Sequence, residues 1–80
     1  MYVTAIINIY PNPAVEFIYL DVEGKLKYRV TLYDIEGKSI HTGLNIVQIQ
    51  ITSIPTGTYL LEIQDLESNQ KIVERVVVGR

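Results

Sequence analysis

The residues able to do chemistry in this chain are few and scattered. His41 is the single histidine. Ser39, Ser53 and Ser68 are nucleophiles by type, but their spacing pairs none of them with a base and an orienting acid. Nucleophilic catalysis needs such a positioned set. His41 lies between Ile40 and Thr42 and reads as a solvent-facing strand or loop residue. Cysteine is absent, which removes thiolate nucleophiles, zinc–cysteine sites and disulfides together. Asp34 and Glu36 share one short stretch, yet a calcium loop needs more oxygen ligands than that stretch carries. Asp21, Asp65 and Glu67 lie in other loops and would have to converge in space to add to it. No phosphate-cradling glycine loop, dinucleotide fingerprint or zinc-protease HExxH pair occurs. The expectation is a non-enzyme with no cofactor and no catalytic or metal-ligating residue.

Composition bounds what such a chain can be. Eighty residues make one small domain, and a domain of this size buries only roughly 60% of the surface its unfolded chain exposes. An apolar share of 48% supports a packed core rather than a disordered tail. The net charge of −2 is spread along the chain without a basic block, so phosphate-driven nucleic-acid binding has no footprint. No apolar run approaches the ~20 residues of a membrane-spanning helix. The first ten residues lack the basic start and small-residue cleavage site of a signal peptide. The chain therefore reads as one domain over residues 1–80; if it is exported, its signal lies elsewhere, in a longer precursor from whose C-terminal end this chain was cut.

The hydrophobic period is two almost everywhere. Ile18, Leu20 and Val22 alternate with Phe17, Tyr19 and Asp21; Tyr28, Val30 and Leu32 with Arg29, Thr31 and Tyr33. The same holds for Val47, Ile49 and Ile51 against Gln48, Gln50 and Thr52, and for Tyr59, Leu61 and Ile63 against Leu60, Glu62 and Gln64. Such segments are half-buried strands with one wet face. Residues 3–9 and 71–78 are apolar on both faces for several positions, which suits strands that are covered twice or that pair at an edge. No segment of ten or more residues has a helical period. About seven short strands are expected, the pattern of a small, all-β, immunoglobulin-like antiparallel β-sandwich.

Turn residues punctuate the strands. Val22-Glu23-Gly24-Lys25 suits a tight connection. Asp34 with Gly37, and Ile54-Pro55-Thr56-Gly57, both fit type I turns. Glu67-Ser68-Asn69-Gln70 is a polar loop. In Tyr10-Pro11-Asn12-Pro13 neither proline can donate to a ladder, so a strand must stop and cross from one sheet to the other. Tyr59, near the start of a late strand, fits a tyrosine corner whose hydroxyl bonds back to upstream backbone. Six tyrosines are spread over several strands, mostly as core and edge packing. Tyr19 and Tyr33 are the best candidates for an exposed aromatic platform.

Three motifs in order, Tyr10-Pro11-Asn12-Pro13, Asp34-Ile35-Glu36-Gly37-Lys38 and Gly57-Thr58-Tyr59, followed by a terminal basic-apolar strand Arg75-Val76-Val77-Val78, resemble the type A C-terminal sorting domain of type IX (Por) secretion cargo proteins of the Bacteroidetes. The resemblance covers residues 7–80. It implies a non-enzymatic signal that directs a cargo protein across the outer membrane to cell-surface attachment. It implies passage through the periplasm, then a place at the cell surface or outside the cell. The implied partners are the outer-membrane type IX machinery and a sortase-like peptidase, with the domain covalently part of a larger cargo protein. The residues it singles out are Tyr10, Pro11, Asn12, Pro13, Asp34, Gly37, Lys38, Gly57, Tyr59, Arg75, Val76, Val77 and Val78. Familiar members finish in a lysine-rich end, whereas this chain finishes in Val-Gly-Arg. The terminal strand is also suited to pairing two copies as a strand-mediated homodimer. The alternative is an Ig-like or fibronectin-like accessory module of a secreted hydrolase or adhesin, binding carbohydrate or protein.

Overall fold

The computed structural model describes residues 7–11, 13–22 and 27–79. Its strands are β1 (Ile7–Tyr10), β2 (Phe17–Val22), β3 (Tyr28–Tyr33), β4 (Ser39–Leu44), β5 (Gln48–Gln50), β6 (Gly57–Asp65) and β7 (Lys71–Val78). They form two sheets, ordered β1-β2-β5 and β4-β3-β6-β7. Every pairing between these strands is antiparallel. The expected all-β sandwich is therefore observed. The first expected strand, over residues 3–9, is described only from Ile7, and the Glu23-Gly24-Lys25 turn lies outside the described residues.

Alternation places the core. Ile18 and Leu20 from β2 and Ile49 from β5 face Val30, Leu32, Leu61, Ile63, Val76 and Val78 of the other sheet, and all are buried. The bulky β-branched side chains suit the pleat and fill the space between the layers. The partners of these residues point outward, with Tyr19 and Leu60 well exposed. Without disulfides, this packing and the ladders carry the stability.

Two elements depart from the sequence expectation. The strand over residues 47–52 shrinks to Gln48–Gln50, and Val47 is 59% exposed. Val47 is spent on a backbone contact instead, its carbonyl accepting from Leu20 N–H at 2.8 Å. β4 was marked by no apolar alternation. It is an edge strand exposed along almost its whole length, so burial imposes no pattern on it. Its one constraint is Gly43, where an added Cβ would lie 2.9 Å from the Ile46 Cγ2.

Truncating the inner and outer positions should separate their roles. Leu61→Ala should cost about 2–5 kcal/mol, a large part of a total of about 5–15 kcal/mol. Leu44→Ala, 57% exposed on β4, should stay within about 0.5 kcal/mol. Urea unfolding of both variants measures this; equal losses would contradict the inner and outer assignment.

Candidate recognition surface

The turn motifs can be followed residue by residue. Tyr10 closes β1 opposite Tyr19, and the Tyr10–Pro11 bond is cis. Beyond the prolines the chain touches the end of β7 and then returns to the three-stranded sheet as β2. Ala14, fully buried, forms a parallel bridge with Val78. Its N–H donates to the Val77 carbonyl and its carbonyl accepts from Gly79 N–H, each at 2.8 Å. The expected crossing from one sheet to the other is not what the motif makes: the strands on either side of it, β1 and β2, pair with each other in the three-stranded sheet, and the connection only touches the end of β7, where a Cβ on Gly79 would sit 3.2 Å from the Pro13 Cβ. Two prolines without an N–H end the β1 ladder without deciding which sheet the next strand joins. Asn12 lies outside the described residues.

Asp34 organises the β3–β4 hairpin. Its Oδ1 accepts from Glu36 N–H and Lys38 N–H, both at 2.9 Å. Gly37 N–H donates to the Asp34 carbonyl at 3.0 Å, the closing bond of the expected turn. Gly37 sits at φ +88°, a conformation that glycine adopts without the Cβ penalty. In the third motif the Tyr59 hydroxyl donates to the Pro55 carbonyl, four residues upstream, which is the expected tyrosine corner. The hydrogen-bonded turn before it falls at Ile51–Ile54, where Ile54 N–H donates to the Ile51 carbonyl at 3.2 Å, three residues ahead of the Ile54-to-Gly57 turn read from sequence.

Register brings these motifs together. Tyr33 pairs with Leu60, Leu60 with Arg75, and Gly57 with Val78. The Asp34 hairpin, the start of β6, the Pro13–Ala14 part of the β1–β2 connection and the end of β7 therefore gather at one end of the four-stranded sheet. Tyr59 and Gly57 support β7 from its inner side, and Ala14 from its outer side. Within β7, Val76 and Val78 are buried, Val77 is half-buried and Arg75 is exposed. Towards Lys71 the strand changes character. It is an edge strand, no described strand lies outside its Lys71-to-Glu74 half, and Ile72 and Val73 are 39% and 54% exposed.

Over residues 8–79 the chain matches the family model described as "Secretion system C-terminal sorting domain". The chain belongs to that family. It is a C-terminal sorting signal for type IX secretion of a cargo protein, which takes its cargo to the cell surface or the extracellular space. The family is a sorting signal and not a known catalytic domain. No curated protein matches the chain.

The remaining polar residues of the sorting domain are structural or dispersed. His41 is exposed on β4. Asp21 stands in β2 rather than in a loop, and no group of three or more His, Asp or Glu among the described residues is placed to hold a metal. None of the described residues forms a helix long and apolar enough to cross a membrane. Asp65 caps the β6–β7 connection: its Oδ1 accepts from Glu67 N–H at 2.9 Å and Ser68 N–H at 3.4 Å. The Glu67 N–H bond chiefly holds its carboxyl below the usual aspartate range, with Ser68 adding to it against a smaller desolvation effect.

The expected aromatic pair requires correction. Tyr19 lies on β2 and Tyr33 on β3, in different sheets. The neighbours of Tyr19 are Tyr10, with ring centroids 5.6 Å apart, and Phe17 at 5.8 Å. The common parity of Phe17 and Tyr19 was visible in the sequence; their meeting with Tyr10 depended on the β1–β2 register.

Tyr59→Phe should lower stability by about 1 kcal/mol, the net worth of one hydrogen bond, in chemical denaturation; no change would remove the corner from the account. Ionised Asp65 favours the fold above the unfolded aspartate range of about pH 4, and this contribution fades as pH falls through the lower folded value. Asp65→Asn should therefore lose less stability than the parent when unfolding is measured from about pH 6 down to pH 2. An identical acid limb would show that Asp65 does not contribute.

Proposed function

We propose that the outer-membrane type IX machinery reads this domain through β7. The supporting observation is the contrast along that strand, closed by Ala14 at its Val78 end and with no described strand outside Lys71 to Glu74. An uncovered strand with exposed Ile72 and Val73 suits main-chain pairing with an added strand, side-chain contacts supplying selectivity. In this reading Val76, Val77 and Val78 anchor the strand and Arg75 stands next to its Lys71-to-Glu74 half. Tyr10, Pro11, Pro13, Asp34, Gly37, Lys38, Gly57 and Tyr59 act indirectly, by building the end of the sandwich that holds β7 in place, and Asn12 belongs to the same motif in sequence. Residues 1–80 act as a single module of a longer precursor. The cargo crosses the periplasm with this domain folded, and a sortase-like peptidase then separates the two. The same open edge is available for strand-mediated pairing of two copies before the machinery engages it.

The test is a signal-peptide reporter carrying residues 1–80 at its C-terminus in a type IX-secreting bacterium. Val73→Lys changes an outward, exposed position and should leave thermal unfolding nearly unchanged. Its surface display should fall to the level of a fusion lacking residues 71–80. Display equal to the parent, with the variant folded, would contradict reading through β7.

A further inference from the structure

The geometry points to a binding site for neutral glycan on the outer face of the three-stranded sheet. It does not rest on the sorting role. Tyr10, Tyr19 and Phe17 form a continuous run of rings, with centroids 5.6 and 5.8 Å apart and planes inclined by 27° and 28°. Tyr10 is 51% and Tyr19 36% exposed. Gln48 stands opposite Tyr19 and Gln50 opposite Phe17, both exposed. Beside the rings is a shallow depression of about 260 Å³ lined by Pro11, Val15, Glu16, Phe17 and Tyr19. That is just below the ~300 Å³ of the smallest drug-sized sites, and suits one ring-sized unit of an extended chain.

The chemistry of the rim selects the ligand. By strand parity, the outward side chains within β1, β2 and β5 are aromatic, amide or carboxylate; the exposed aliphatic residues Val15, at the depression, and Val47 lie in the connections next to β2 and β5. The outer face of the other sheet differs, carrying Ile40, Leu44, Leu60 and Val73. An aliphatic partner surface would fit that second face better. The described parts of β1, β2 and β5 contain no lysine or arginine, while Glu16 and Asp21 are exposed. Anionic ligands are therefore repelled rather than held. A neutral pyranose presents weakly positive C–H groups to the electron-rich face of an aromatic ring. Its hydroxyls both donate and accept, and a glutamine amide answers both requirements. The three aromatic rings also match a repeating ligand better than a single compact one.

Affinity electrophoresis of the folded chain tests this, in gels containing a neutral β-glucan, a neutral α-glucan, xylan, galactomannan or the polyanion alginate. Retardation is expected in at least one neutral polymer and none in alginate. Tyr19→Ala should weaken that retardation roughly tenfold, the scale of one lost aromatic contact, and Gln50→Ala should weaken it while leaving the rings in place. Tyr33→Ala, on the other sheet, should bind as the parent. If Tyr19→Ala does not fold, Gln50→Ala decides. Migration unaffected by all four neutral polymers, retardation by alginate, or a parent-like Gln50→Ala with Tyr19→Ala also unchanged or unfolded would each overturn the assignment.

Discussion

Two backbone hydrogen bonds at Ala14 tie the beginning of this fold to its end. The N–H reaches Val77 and the carbonyl receives Gly79 N–H, so the segment that leaves the three-stranded sheet becomes a partner of the four-stranded one. A small sandwich without disulfides has few ways to keep two sheets in register beyond core packing. Here the β1–β2 connection itself bonds to the other sheet. The prolines end the β1 ladder because neither has an N–H to donate. Burial of Ala14 fits the same constraint: a small side chain lets the backbone approach β7 closely.

The other motifs serve the same end of the sandwich. Asp34 fixes the hairpin that closes β3 and β4 by satisfying two backbone donors. Tyr59 does the corresponding work before β6, binding the Pro55 carbonyl. Both elements lie in register with the last residues of β7. Motifs far apart in sequence therefore meet around a last strand whose Val78 end is held on both sides and whose Lys71-to-Glu74 half has no described strand outside it. The two outer faces also diverge, one built from rings and amides and the other containing aliphatic side chains.

Much of this was legible in the sequence because burial on one face writes a period of two. Ile18 and Leu20, Val30 and Leu32, and Leu61 and Ile63 all fall where alternation puts them. The end of β1, the Asp34 turn and the tyrosine corner were legible because each depends on a local covalent property of proline, aspartate or tyrosine; the return of the chain to the same sheet was not, because a proline ends one ladder without choosing the next. β4 escaped because an exposed edge strand needs no apolar face. Val47 misled because its backbone, rather than its side chain, makes the contact. The pairing of Tyr19 with Tyr10 and Phe17, and not with Tyr33, depends on which sheet each strand joins, and alternation does not encode that. The terminal apolar strand was expected to be covered on both faces or to pair at an edge; in the fold its outward face leaves Val73 exposed and Val77 half-buried, and its Val78 end pairs along the edge with Ala14.

Residue-resolved hydrogen exchange of the native domain tests the central claim most directly. The amides of Ala14 and Gly79 should be protected with those of the β3–β6 core, because each donates a ladder bond and opens only with the cooperative unit. The outward-facing amides between Lys71 and Glu74 should exchange far faster. Loop-like exchange at Ala14 and Gly79 beside a protected core, or uniform protection along the whole of β7, would contradict a terminal strand latched at one end and open at the other.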